Sequence, residues 1–278
     1  MVRTDPVNDT GEPNLMLVFP QLTTGAIAQY PLARSRRRIS VTNLLTDGSM
    51  VSYSDQTPDT NYWDLALRDL TDREADFIQA LFQAVEGCLG TFTFLDPTAN
   101  LLAHSEELDS SCWQNSPMLQ ITTGIDDPVG GSAGIRLINA GQTTQSLSQL
   151  LGAPAWFSYS FSTYARSVGG SIVTLTRSAS SSSNTRLFQP GSGWTRCVMS
   201  GDMNTTDESV RFSLGLPPGA SVDLYGIQVE SQPSASAYKR TGNRNGVYSN
   251  ARFADDVLRL VSDGPDQNRL DLRVVSKD

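Results

Sequence analysis

Residues 210–226 read VRFSLGLPPGASVDLYG, and this stretch indicates the fold class of the second half of the chain. Apolar side chains alternate with smaller or polar ones from Val210 to Leu216, which is typical of a strand with one buried face. Pro217-Pro218-Gly219 predicts a turn, and Val222–Tyr225 predicts the next strand. Gly226 follows directly and is expected to form a β-bulge. The segment therefore predicts two strands joined by a tight turn.

Similar short runs occur on the N-terminal side of this segment, namely Ile135–Ile138, Trp156–Phe161 and Ile172–Thr176. In Trp156–Phe161 the pattern alternates strictly, so we expect Trp156 on the face opposite the aromatic residues Phe157, Tyr159 and Phe161. The serine-rich segment 178–184 predicts a mobile loop. Short strands at this spacing predict a β-sandwich of the jelly-roll type over residues 99–237.

One helix is predicted, over residues 72–86. Thr71 and Glu74 have the spacing of a capping box, and an apolar stripe follows at helical intervals through Val85. Gly87 is expected at the C′ position. The apolar stripe predicts that the helix packs one face on a sheet, and no other long helix is expected.

The two ends of the chain predict a second β domain. Strands are expected at 15–20, within 27–53 around the turn Thr46–Ser49, at 62–68 and at 91–95. Two more are expected near the C-terminus, at 257–262 and 270–276. Because two strands do not form a stable unit alone, we expect them to pair with the first domain. The predicted domains are 1–98 together with 238–278, as a β-sandwich or split barrel, and an inserted module at 99–237.

Charge supports that pairing and limits the possible ligands. Residues 1–98 hold seven basic and thirteen acidic side chains, a net of −6, whereas residues 238–278 hold eight and six, a net of +2. The whole chain of 278 residues carries −8, which disfavours specific binding to nucleic acid. No apolar run approaches the roughly 20 residues of a membrane span, and the N-terminal arm, 1–14, does not resemble a signal peptide.

The inventory of reactive residues predicts no catalytic, metal or cofactor site. The chain has one histidine, His104, and three widely spaced cysteines, which we expect to be reduced. The run Gly130-Gly131-Ser132-Ala133-Gly134 has Gly-x-Ser-x-Gly spacing, but it reads as a glycine-rich loop and not as a nucleophile elbow. Asp126-Asp127 lies among glycines and suits Ca²⁺ in type, but two carboxylates fall short of a complete ligand set. The adjacent acidic pairs are expected to be solvated loop charges.

Several motifs carry a resemblance to phage tail proteins. The first is the run Phe94-Leu95-Asp96-Pro97, followed by Asn100-Leu101-Leu102, Ser105-Glu106 and Trp113. It resembles the junction at which a tail-assembly domain ends and a lectin-like module begins. The end of the module is similar too, in Trp194-Thr195-Arg196, Val222–Glu230, Pro233-Ser234 and Tyr238. Residues 1–98 resemble the ring-forming domain of siphophage distal tail proteins and of related prophage and gene transfer agent proteins.

The resemblance implies a structural protein of the virion and not an enzyme. It implies a homo-oligomeric ring, six copies at the tail tip, assembled in the host cytoplasm and joining the tail-tube protein to the hub or tip proteins. DNA would pass through an acidic lumen without specific binding, and no membrane is involved. The alternative is a carbohydrate-binding adsorption protein that recognises host-surface glycans. A polysaccharide-degrading enzyme is a third and weaker possibility.

Two sets of residues are candidates for contacts. An exposed aromatic ring commonly stacks on a sugar, and the candidates in the module are Trp113, Trp156, Tyr164, Trp194 and Tyr225. Basic residues are candidates for pairing with an acidic neighbouring subunit. These are Arg34, Arg36, Arg37, Arg38, Lys239, Arg240 and Arg244.

Overall fold

The fold was obtained as a computed structural model, which describes residues 16–54 and 59–277. The described residues are mainly β and contain a single helix, α1 (Asp72–Ala84), which confirms the predicted fold class. The strands are β1 (Ala33–Arg37), β2 (Ser40–Leu44), β3 (Met50–Ser54), β4 (Thr60–Leu70), β5 (Phe92–Leu95), β6 (Gln114–Asn115), β7 (Leu119–Ile125), β8 (Gly134–Asn139), β9 (Gln145–Leu151), β10 (Tyr159–Arg166), β11 (Val173–Ser178), β12 (Ser183–Phe188), β13 (Thr195–Gly201), β14 (Val210–Leu216), β15 (Ser221–Glu230), β16 (Val247–Phe253), β17 (Leu260–Gly264) and β18 (Gln267–Lys277).

The first sheet joins strands from both ends of the chain, in the order β1-β4-β18-β16-β5, with β17 paired to β18. The long strand β18 runs antiparallel to β4 from Asn268 to Lys277. Side chains on one face of β4, including Trp63, Leu65 and Leu67, are buried, so this face packs into the core. The division of the chain into domains 1–98 with 238–278 and 99–237 stays a prediction.

Helix α1 follows β4 directly and begins as predicted. Thr71 is the N-cap, and its side chain and that of Glu74 form the reciprocal bonds of a capping box. The helix ends two residues earlier than predicted, with Val85 as the C-cap. Glu86, at φ 54°, therefore occupies C′, and Gly87, at φ 67°, is the next residue. A Cβ on Gly87 would lie 2.6 Å from Asp256 Oδ1, so the glycine also permits a close approach of the C-terminal segment.

Residues 114–230 form a sandwich of two antiparallel five-stranded sheets. One sheet has the order β13-β10-β15-β8-β7 and is called the front sheet here. The other has the order β12-β11-β14-β9-β6 and is called the back sheet. The alternation predicted for β14 is confirmed, because Val210, Phe212 and Leu214 are buried between the sheets. Leu224 and Val229 of β15 are buried as well.

The connections between this sandwich and the first sheet are bonded to one another. The backbone N–H of Asp96 donates to Gly246 O at 2.8 Å, and that of His104 donates to Gly242 O at 2.7 Å. The fully buried Asn100 donates through Nδ2 to Ile227 O and accepts from the Val229 N–H through Oδ1. The outgoing and returning segments therefore run together as one hydrogen-bonded stem.

Several predicted strands differ from the structure. Strand β10 begins only at Tyr159. Trp156 and Phe157 both precede the strand, so the predicted alternation does not place them on opposite faces of the sheet. The serine-rich segment, predicted as a mobile loop, joins β11 to β12 by a short turn, because these strands pair up to Ser178 and Ser183. Its mobility stays a prediction. Of the strand expected at 15–20, the described part contains only a bridge from Val18 to Thr93. The predicted N-terminal arm, 1–14, lies outside the described residues.

The stretch 27–53 contains three strands where two were predicted. The predicted pair, β2 and β3, forms a two-stranded sheet of its own around the predicted turn at Gly48, and β1 is the additional strand. The hairpin leaves large apolar side chains exposed, most of all Leu44 at 76% and Met50 at 68%. In the described part of the chain, no helix is long and apolar enough to cross a membrane.

Candidate functional site

The outer face of the front sheet carries a groove whose floor is made by two tyrosines. Tyr164 of β10 and Tyr225 of β15 are partners in the strand register, and their ring centroids lie 6.1 Å apart. Tyr238, from the segment that follows the sandwich, adds a third ring 5.2 Å from that of Tyr225. Pro128, Val129 and Ala237 complete the lining of a groove of about 360 Å³. This volume falls in the range of roughly 300–1,000 Å³ that is usual for ligand pockets.

A β-bulge sets the position of the third ring. The register of β10 and β15 shifts between Ser162 and Tyr164. Gly226 has φ +67°, which confirms the bulge expected at this glycine. A Cβ on Gly226 would lie 3.0 Å from Tyr238 Cγ. The hydroxyl of Thr163 donates to Tyr225 O at 3.1 Å and ties the two strands together at the bulge. The glycine therefore serves both the backbone turn and the approach of the Tyr238 ring.

One wall of the groove is a loop organised by Asp127. The buried carboxylate accepts from the N–H groups of Val129 at 2.9 Å, Gly131 at 2.8 Å and Ala133 at 3.1 Å. Burial alone would raise the pKa of Asp127, but these N–H donors outweigh it and lower the pKa. Both carboxylate oxygens thus bind backbone. Pro128 and Val129 are held at the groove as a result.

Two of the groove phenols, Tyr225 and Tyr238, have a raised pKa. Burial raises the pKa of Tyr225, and the negative charges of Asp127 and Glu106 add to the rise. Burial also raises the pKa of Tyr238, although its hydrogen bond to Ser105 opposes the rise in part. The Tyr238 hydroxyl lies 2.7 Å from Ser105 Oγ and donates to Glu106 Oε1 at 3.1 Å. The groove therefore offers aromatic faces flanked by polar groups.

Charged side chains flank the groove along the same sheet face. Asp223 accepts from Arg136 Nε at 2.6 Å and from Arg166 Nε at 3.0 Å. Burial would raise the pKa of Asp223, but these two guanidinium groups lower it. The guanidinium of Arg166 lies 4.7 Å from the ring centre of Trp194, and that of Arg196 lies 5.4 Å from the Tyr164 ring. Hydrogen-bond donors and acceptors are therefore fixed beside the aromatic floor.

The predicted aromatic candidates separate into three locations. Tyr164 and Tyr225 line the groove, and the half-buried Trp194 lies on the same sheet face but outside the lining. Trp113 is only 6% exposed and donates through Nε1 to His104 O at 3.0 Å. Its expected role as a sugar contact is corrected, because the ring is part of the core. Trp156 lines a different cavity of about 630 Å³, together with Phe77 and Pro20.

Four groove residues were not among the predicted contacts, namely Tyr238, Pro128, Val129 and Ala237. Val129 is 76% exposed, and its place in the groove depends on the loop that Asp127 closes. Tyr238 lies beyond the last strand of the sandwich. The glycine at 226, which permits its approach, was recognised only as a bulge.

Most of the basic candidates gather at a second place. Arg34, Arg36, Lys239, Arg240 and Arg244 line a cleft of about 280 Å³ at the junction of the first sheet and the returning segment. Arg37 and Arg38 are outside this lining, and Arg38 pairs with Asp59 at 3.0 Å. The role of these seven residues at a subunit interface stays a prediction.

The other reactive residues have structural partners. His104 Nδ1 lies 2.6 Å from Glu107 Oε2, and both belong to a turn near the stem. Cys197 is buried in the sandwich, and burial raises the pKa of its thiol to about 11. Among residues 16–54 and 59–277, no three His, Cys, Asp or Glu side chains are grouped as metal ligands.

Comparisons with known proteins give distant structural similarity only. No protein-family model and no curated protein sequence matches the chain. One similar solved structure is the enzymatically active domain of bacteriophage CBA120 tailspike protein 4, with TM-score 0.39 and 11% identity over 49% of this chain. The match spans only 22% of the tailspike chain.

Two further structures are carbohydrate-binding modules. TmCBM61, solved with β-1,4-galactotriose, has TM-score 0.37 and 14% identity over 47% of this chain and 97% of its own. The CBM22-1 xylan-binding domain of Paenibacillus barcinonensis Xyn10C has TM-score 0.39 and 13% identity over 49% of this chain and 96% of its own. Because every one of these TM-scores is below 0.5, the function below is inferred from the geometry of the groove.

Proposed function

We propose that this chain is a carbohydrate-binding protein and that the tyrosine groove, defined by Tyr164, Tyr225 and Tyr238, is its sugar site. The observation that carries the proposal is the convergence of three aromatic rings from separate segments on one open sheet face. A tyrosine presents an apolar face and a hydrogen-bonding hydroxyl, and a sugar ring presents apolar C–H faces and hydroxyls. The groove matches a glycan in both respects.

The surroundings of the groove supply the polar contacts that a sugar needs. The Arg136–Asp223–Arg166 cluster is held by its own ion pairs, and Arg196 donates to Ser162 Oγ, so charged donors and acceptors are fixed on the same face. Small-molecule sites commonly combine an apolar floor with a few such positioned polar groups. None of the six lining residues is Asp or Glu, which supports binding without cleavage.

The test is a glycan array probed with the labelled full chain, followed by calorimetry on each glycan that binds. We expect saturable binding of at least one glycan and a loss of about tenfold or more in Tyr225→Ala, as for an aromatic residue at the centre of a site. Tyr30→Ala is the matched control, because Tyr30 is 69% exposed and lies outside the groove. Failure of every glycan to bind, or equal affinity in Tyr225→Ala, would contradict the proposal.

A second candidate function is that of a ring subunit in a phage tail, as the resemblance in the sequence implies. The β2–β3 hairpin favours it. A two-stranded hairpin is marginally stable in water, and this one exposes Leu44, Met50 and Tyr53. A neighbouring copy would bury these side chains. In this proposal the glycan site and the ring belong to one virion protein at the tail tip, between tube and hub.

Light scattering and negative-stain electron microscopy of the same sample test the ring. We expect concentration-dependent oligomers, with about six copies in a ring, and their loss in Leu44→Ser/Met50→Ser. The control is Val168→Ser, since Val168 is 92% exposed on the sandwich. A monomer at every concentration, both alone and with isolated tail tubes, argues against a ring but leaves glycan binding untouched.

A further inference from the structure

The cleft at the junction is lined by cations and by no acid. Its lining comes from β1, β4, the outgoing segment around Asn100 and the returning segment 239–245. Five of its twelve lining residues are Arg or Lys, namely Arg34, Arg36, Lys239, Arg240 and Arg244. The chain as a whole carries −8, so this concentration of positive side chains is local. We call it the basic cleft.

Carboxylates outside the lining hold these cations in place. Arg34 pairs at 3.0 Å with Asp96, which is fully buried, and Arg36 pairs at 2.8 Å with Asp59. Lys239 pairs at 2.7 Å with the buried Glu230. A guanidinium carries five N–H donors, and an ion pair occupies only one or two of them. The ion pairs therefore pre-position the charged groups around the cleft.

Asn61 adds an independent observation. Its side chain is 1% exposed and lines the basic cleft, yet its Nδ2 has no hydrogen-bond acceptor. Burying an amide donor without a partner is unfavourable, so such groups in native proteins call for an explanation. Asn61 neighbours Arg36 in the strand register, which places this donor beside a cation. An acceptor atom inside the cleft would satisfy it.

We propose that the basic cleft binds an oxyanion group, such as phosphate, sulfate or a carboxylate. An oxyanion accepts several hydrogen bonds at once and matches a lining that consists of cationic groups and an unpartnered amide donor. The anion is either free in solution or carried on an acidic sugar. This site is separate from the tyrosine groove, although the adjacent residues Tyr238 and Lys239 line the groove and the cleft respectively.

The first experiment is calorimetric titration of the full chain with inorganic phosphate and then sulfate, in low-salt buffer so that screening is small. We expect saturable binding to one site. Arg36→Gln and Asn61→Leu should each weaken phosphate binding about tenfold, as expected when one charge-assisted bond is lost. Arg37→Gln is the matched control, because Arg37 lies on the same strand outside the lining, and its affinity should stay within about twofold.

Competition distinguishes the two sources of the anion. If glucuronate displaces phosphate and glucose does not, the site also accepts an acidic sugar. If glucuronate does not displace phosphate, the site is one for the free anion. Tyr225→Ala should retain phosphate binding, which separates this proposal from glycan binding at the groove. Circular dichroism checks that each variant folds. If Asn61→Leu does not fold, Arg240→Gln takes its place. The proposal is overturned by the absence of saturable binding or by an equal loss in Arg37→Gln.

Discussion

Tyr164 and Tyr225 are register partners across β10 and β15, and their ring centroids are 6.1 Å apart at an interplanar angle of 46°. Both rings are half-buried and have one side toward the groove. Because backbone pairing on the front sheet fixes the positions from which they project, the aromatic floor is in place before any ligand arrives. Such pre-organisation lowers the entropy cost of binding.

The first prediction concerns the pH dependence of glycan binding. Since burial raises the pKa of Tyr225 and of Tyr238 above the ordinary value of about 10 for tyrosine, their hydroxyls stay protonated at pH 9. We expect affinity for the best glycan to change by less than about twofold between pH 6 and pH 9. Calorimetry at four pH values measures it. A steep loss across this range would show that another group controls binding.

The second prediction concerns Gly226. An L-residue at positive φ costs roughly 1–2 kcal/mol, and at this position the added Cβ also meets the Tyr238 ring at 3.0 Å. Gly226→Ala should therefore destabilise the fold in urea unfolding and displace Tyr238, with a changed near-ultraviolet circular dichroism spectrum. Gly219→Ala is the control, since Gly219 has φ +74° but nothing within 4 Å of its Cβ position. Equal effects of the two variants would show that only backbone strain matters.

The third prediction uses Glu74, whose carboxylate accepts from Thr23 N at 2.7 Å and from Thr71 N at 2.9 Å. Burial would raise the pKa of Glu74, but these donors and the two hydroxyls outweigh it and lower the pKa below 4.5. A carboxyl whose folded pKa is lowered stabilises the fold above its unfolded pKa, and this contribution is lost as pH falls through the folded value.

Glu74→Gln should accordingly lower the free energy of unfolding at pH 7 by about 1 kcal/mol. The difference between the variant and the natural chain should shrink as the pH falls below about 4.5, the ordinary pKa of the group. Urea unfolding between pH 3 and pH 7 provides the comparison, with the exposed Asp76→Asn as control. If the difference in unfolding free energy does not change with pH, the effect of Glu74 comes from the shape of its side chain and not from its charge.

The fourth prediction concerns Arg177, a cation that is 2% exposed in β11 of the back sheet. Its guanidinium donates to Gly201 O and to Asp202 O, at the end of β13 in the front sheet. Arg177→Ala removes two charge-assisted hydrogen bonds, so we expect a loss of about 3 kcal/mol. Arg177→Lys should retain part of the stability. A melting temperature of Arg177→Ala equal to that of the natural chain would contradict this link between the sheets.

Sequence patterns predicted a strand where one of its faces is buried, and they gave no signal for a strand with both faces exposed. Strand β14 has alternating buried residues and was predicted, whereas β12 is exposed along nearly its whole length, and its first two residues, 183–184, were read as part of a loop. Edge strands of this kind need no apolar alternation, since only backbone pairing holds them. The capping box at Thr71 was predicted correctly because it is a local interaction.

The candidate site divides in the same way. Tyr164 and Tyr225 were candidate contacts because they are aromatic residues of the module, and the structure places both in the groove. Trp113 was proposed wrongly, since its burial depends on the path of the chain around His104. Tyr238 was missed because it reaches the groove only after the chain has left the last strand of the sandwich. Contacts between segments that are distant in the sequence were therefore not predicted.

The hydrogen-bonded stem brings the two ends of the sandwich segment together. Asp96 is bonded to Gly246, and His104 to Gly242, so the two cut points of an excision would already be adjacent. A short peptide could close that gap while β4 and β18 keep their pairing. On the predicted division into domains, another domain with neighbouring termini could take the place of the sandwich, and the first sheet would be kept.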